Sequence, residues 1–200
     1  MKSAKNSYQI FLVTGNVGVG KTHYLKSIIK LLPNKISNVF FINCDEIAKE
    51  LYLKNSKVKN FFENNLKLSL WKNNKLDYYL LLKFILENKN NIQLIENFIW
   101  PLVIEKVNQE ILLLKKNFIF FSLYIEVNMR FCLSEMLSLI SFDKIILCVN
   151  KKQNLSEKFS VLNDHEKTEL LKILSTDADF FKKTLSERKI NFKVKEIEFI

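Results

Sequence analysis

The chain has 200 residues, 48% of them hydrophobic and 26% charged, and carries a net charge of +10. That length suits one domain with a sizeable core, and the composition excludes fibrous, low-complexity and disulfide-framework classes. The positive charge is spread along the chain and only Arg130 and Arg188 are arginines. This reads as a lysine-solvated surface rather than a nucleic-acid footprint, and the same field would favour an anionic nucleotide.

Tyr8 to Thr14 is a continuous apolar stretch, the mark of a strand buried on both faces. A helix is predicted from Lys21 to about Leu32, stopped by Pro33 and Asn34. Val39 to Ile42 reads as a second strand that runs into Asn43-Cys44-Asp45-Glu46. From Ile47 to about Leu114 the pattern is mostly helical. Asp77 caps one helix there, and Pro101 suits a first helical turn, while Lys54 to Asn65 and Lys72 to Lys75 are polar enough for loops. Phe118 to Ile125 predicts a strand ending at Glu126, then a helix over Met129 to Ile140 and a strand over Lys144 to Val149. Lys151 to Lys183 is polar with two helical patches, and Ile190 to Ile200 alternates like a strand. Strands joined by long helical crossovers predict an α/β fold, a parallel sheet covered by helices on both faces.

Cys44, Cys132 and Cys148 show no CxxC spacing and read as reduced core thiols. No secretory leader and no membrane-length apolar run is in view, so the expectation is a cytoplasmic protein without a membrane partner.

Gly15-Asn16-Val17-Gly18-Val19-Gly20-Lys21-Thr22 fits G-x-x-x-x-G-K-[ST] in full, between a buried strand and a helix. Such a loop wraps backbone N–H groups around phosphates at a helix N-terminus, which needs small residues. The three glycines of the whole chain all lie here, a concentration that points to backbone approaching a ligand. The expected roles are Lys21 on the β- and γ-phosphates of ATP and the Thr22 hydroxyl on Mg2+. His23 faces either solvent or the base. Asp45 follows the second strand, where open α/β sheets hold ligands; it can accept a substrate proton or cap the next helix. Glu126 is open between the magnesium shell, the substrate and a surface carboxylate.

These residues together resemble the dephospho-CoA kinase family of P-loop kinases, which serves coenzyme A biosynthesis. Its T-G-G-I-G-[SA]-G-K-[ST] loop is similar to Thr14–Thr22, and its D-A-D-x-[IV]-A-R to Asn43–Lys49. L-[DN]-R-x-x-L, H-P and P-L-L-[IF]-E are similar to Leu76–Leu81, Trp100-Pro101 and Ser122–Glu126. The resemblance implies a single P-loop kinase domain over 1–200, with a helical substrate-binding region over about 45–115 and a lid over about 151–185. It implies that ATP with Mg2+ phosphorylates the ribose 3′-hydroxyl of dephospho-CoA, giving coenzyme A and ADP, in a monomer or weak oligomer. Catalysis would fall to Asp45 and Lys21, with Lys183 on the nucleotide. The sequence departs at Asn16 for glycine, Trp100 for histidine, Tyr78 for arginine and Ser122 for proline. Lys172, Lys183 and Leu162 fall near the family's lid arginines, and lysine lacks the bidentate fork. Two alternatives stand beside this: a kinase for a nucleoside or other small hydroxyl acceptor, and a degenerate nucleotide-binding protein without turnover.

Overall fold

The computed structural model describes residues 7–31, 38–72, 75–132, 136–150 and 159–197. Strand β1 (Ser7–Thr14) leads through the glycine loop into helix α1 (Lys21–Leu31), and β2 (Val39–Asn43) into α2 (Cys44–Lys54). Then come α3 (Ser56–Asn60), a π-helical turn (Phe61–Asn65) and a minimal hairpin of β3 (Trp71–Lys72) and β4 (Lys75–Leu76). Two helices follow, α4 (Tyr78–Glu87) and the 28-residue α5 (Asn90–Asn117). The chain ends with β5 (Phe120–Glu126), short α6 (Met129–Phe131) and α7 (Leu137–Leu139), β6 (Lys144–Val149), α8 (Asp164–Leu174), α9 (Ala178–Glu187) and β7 (Phe192–Glu196).

The main sheet is parallel throughout, in the order β2-β5-β1-β6-β7. Its centre is dry on both faces, with Leu12, Val13, Leu123, Ile145 and Leu147 fully buried. Alternate residues divide between two clusters, as the strand period requires. Val13, Ile146 and Cys148 pack with Leu25 of α1. Leu12, Leu123, Ile125 and Leu147 face the larger core, which also holds Leu51, Ile85, Ile99, Leu170 and Phe181 from α2, α4, α5, α8 and α9. Helices therefore cover both faces.

Several expectations are corrected. The polar stretch Lys54 to Asn65 is helical because Val58 and Phe62 are fully buried and Asn55 caps α3, accepting from the N–H groups of Lys57 and Val58. Pro101 lies inside α5 rather than at its start; burial of Ile99, Val103 and Ile104 around it outweighs a penalty of about 3 kcal/mol. Of the helix expected over Met129 to Ile140, the described parts are α6 and α7, and Ile140 is already extended. Asp77 does cap α4, accepting from Leu80 N–H. Pro33, Asn34, the first part of the lysine-rich stretch (151–158) and the last three residues lie outside the described residues. Among the described residues, no helix is long and apolar enough to cross a membrane.

Candidate phosphate-binding loop and adjoining slot

The ends of β1, β2 and β5 meet at one edge of the sheet, where Val13 and Asn43 both lie beside Glu126 in register. The loop after Thr14 wraps across this edge. Gly15, Gly18 and Gly20 take φ of 153°, 79° and 91°. At Gly15 the constraint is also spatial, since a Cβ would meet the Cys148 carbonyl oxygen at 2.4 Å. Val17 and Val19 are buried in opposite clusters and pin the loop to both cores.

Lys21, 9% exposed, opens α1 and folds back over the loop, its Nζ donating to the carbonyls of Gly15 at 3.1 Å and Asn16 at 3.0 Å. Met129 N–H also donates to the Gly15 carbonyl at 3.2 Å, so the turn after β5 is laid against the loop. Thr22 is exposed, and its hydroxyl donates to Glu126 Oε1 at 2.7 Å. Glu126 is 7% exposed, so it is no surface carboxylate. Its other oxygen accepts from Asn43 Nδ2 at 3.2 Å, which helps offset the cost of burying it. A hydroxyl and a buried carboxylate form a hard-oxygen pair of the kind magnesium favours. Among the described residues there is no group of three histidine, cysteine or acidic side chains suited to a metal.

Asp45 is exposed in the first turn of α2. It is not the helix cap: Asn43 Oδ1 accepts from the N–H groups of Asp45 at 2.9 Å and Glu46 at 3.2 Å. Asp45 instead lines a slot of about 160 Å³. The walls are apolar, with Ile92, Ile95, Ile99 and Trp100 from α5, and Trp100 stacks on Phe131 with ring centres 4.9 Å apart. One buried carboxylate, Glu96, also reaches the slot. The Arg130 Nε–H donates to both its oxygens, at 2.8 and 2.7 Å. Burial pushes the Glu96 carboxyl up to about 7, against the downward pull of Arg130.

His23 is exposed beside a second, open hollow formed with Tyr24, Ser27, Lys195, Glu196 and Ile197. Lys183 is not gathered with the loop: its side chain is 75% exposed and pairs with Glu187 at 3.9 Å on α9. Lys172 pairs with Glu169 at 2.6 Å on α8, and Leu162 is buried in the core. The three cysteines are free and buried; burial pushes Cys148 up to about 12 and raises Cys44 and Cys132 as well, which suits packing rather than nucleophilic chemistry. Sequence reading missed Asn43, Glu96 and Arg130, whose partners lie on other elements. Only the N-cap preference for asparagine before Cys44-Asp45-Glu46 could have signalled Asn43.

No protein-family model matches this sequence, and no curated protein matches it. Two solved structures are similar over 96% of this chain and 90% of theirs. They are TT1252 from Thermus thermophilus, with a TM-score of 0.61 and 15% identity, and the dephospho-CoA kinase from Campylobacter jejuni, with a TM-score of 0.55 and 20% identity. Such likeness speaks for the fold: the chain has an α/β fold, a five-stranded parallel sheet flanked by helices, similar to that of the Campylobacter jejuni protein.

Proposed function

We propose that this chain is an ATP-dependent phosphotransferase and that its acceptor is the ribose 3′-hydroxyl of dephospho-CoA, giving coenzyme A and ADP. The observation that carries the reading is the convergence of Lys21, the Thr22–Glu126 pair and the Asp45-lined slot on one edge of the sheet. The loop N–H groups and Lys21 would hold the donor phosphates. Thr22 and Glu126 would hold Mg2+, which neutralises charge on the phosphates when bound. Asp45 would accept the acceptor's hydroxyl proton as its oxygen bonds to phosphorus and ADP leaves. The slot's apolar walls suit the body of an organic acceptor, and the hollow by His23 suits the donor base. The dephospho-CoA kinase of Campylobacter jejuni shares the fold and supports this acceptor.

In this reading 1–200 is one domain, about 45–115 binds the acceptor and about 151–185 forms the lid, with Lys183 available to the nucleotide on closure. The protein would act in the cytoplasm as a monomer or weak oligomer. A kinase for a nucleoside or another small hydroxyl acceptor is the second reading, favoured by the Glu96–Arg130 pair beside the slot.

Purified protein with Mg-ATP and a panel of acceptors, scored for ADP and for phosphorylated product, tests the reading. Dephospho-CoA is expected to turn over best. Asp45→Asn should lower kcat by at least about a hundredfold with ATP binding retained, and Lys21→Ala should remove both. Faster turnover of a nucleoside moves the acceptor to the second reading. ATP binding without turnover of any acceptor leaves a nucleotide-binding protein and overturns the kinase.

A further inference from the structure

Asn16 stands where the resembling family's loop has glycine, and its side chain does something a glycine cannot. Nδ2 donates to the Thr176 carbonyl at 2.9 Å, and Oδ1 accepts from the Thr176 N–H at 3.0 Å. One amide thus satisfies both backbone groups of a residue 160 positions away, as a neighbouring strand would. Thr176 lies between Ser175, which closes α8, and Asp177, which caps α9. The first turn of α8 is tied to α4 by the Lys83–Glu166 ion pair. Near its end, Arg130 Nη1 approaches the Ile173 carbonyl at 3.5 Å. Helix α8 therefore runs from the slot-side helix α4 to the phosphate loop.

We propose that Asn16 is a positioning residue that latches the phosphate loop to the α8–α9 turn, so that nucleotide on the loop and order in that turn reinforce each other. The coupling rests on the nucleotide-binding reading given above; the latch itself does not. Glycine at this position would leave the Thr176 N–H and carbonyl to water. Aspartate would keep the bond from the N–H and lose the bond to the carbonyl, while setting a negative charge beside the phosphate site. Coupling of this kind is reciprocal: phosphates that steady the loop steady the turn, and a loosened turn weakens the phosphates.

Amide hydrogen exchange over Ser175–Asp177 in the wild type, Asn16→Gly and Asn16→Asp, with and without Mg-ATP, tests the proposal. Without nucleotide, exchange at Thr176 should rise about tenfold in Asn16→Gly and by less in Asn16→Asp. Equal exchange in all three proteins overturns the latch, whatever the protein binds. With Mg-ATP, exchange over these residues should slow in the wild type and stay unchanged in Asn16→Gly, whose affinity for a fluorescent ATP should fall about tenfold. An equal response in both proteins overturns the coupling. A wild type that binds no Mg-ATP overturns the nucleotide reading and the coupling together, and the ligand-free comparison still judges the latch.

Discussion

The glycine loop and the slot beside Asp45 share one edge of the sheet but are made of different material. The loop is a single run of backbone whose shape is set by glycine torsions and by two valines anchored in opposite cores. The slot is a gap between side chains from α2, α4, α5 and the turn after β5. A backbone cradle fails at one atom, whereas a packed gap deforms by degrees. The two regions should therefore respond to mutation in different ways.

The largest effect is expected at Gly15. In Gly15→Ala the new Cβ meets the Cys148 carbonyl at 2.4 Å and Val19 Cγ2 at 2.9 Å, at a φ of 153°. The cost should exceed about 3 kcal/mol and remove Mg-ATP binding. Thermal denaturation and an ATP titration read it; a stable, ATP-binding variant would break the contrast. Ile99→Ala, at a site 3% exposed, should cost about 2–4 kcal/mol through the cavity it opens. It should raise the acceptor's KM and leave ATP affinity alone. If ATP affinity falls with it, the two regions do not act separately.

The smallest effect sharpens the contrast through pH. Burial pushes the Glu96 carboxyl up to about 7, so the folded protein holds that proton more tightly than the unfolded chain does. Its contribution to stability is full below the ordinary carboxyl range and is lost as pH rises through about 7. Stability should fall by about 1 kcal/mol between pH 6 and 8 from this group, and Glu96→Gln should flatten the slope. A slope unchanged in Glu96→Gln would assign the pH dependence elsewhere.

The same difference in material governs what a sequence reading could reach. The loop, the Asp77 cap and the succession of strands along the chain were legible because each depends on residues a few positions apart; the order β2-β5-β1-β6-β7 within the sheet was not. The slot was not, since its walls come together only when separate helices pack. Asn16 looked like a departure from a pattern until Thr176 stood beside it. Glu96 and Arg130 are 34 positions apart, and neither carries a local signal. Lys54 to Asn65 misled because its polar residues outnumber Val58 and Phe62, the two that anchor it. Asp45 was placed at the correct strand end, but its capping role belongs to Asn43, two residues earlier.

The central position of β1 has a consequence for how the chain comes to be folded. Ser7 lies beside Phe120, and Phe11 beside Lys144, so neither edge of β1 has a partner until most of the chain exists. At about 5–20 residues per second of synthesis, the strand waits several seconds or more with Ile10, Leu12 and Val13 unpaired. Contacts this distant in sequence also slow refolding. The strand that carries the glycine loop is thus made well before either of its partners, and its apolar residues stay open to other contacts through that interval.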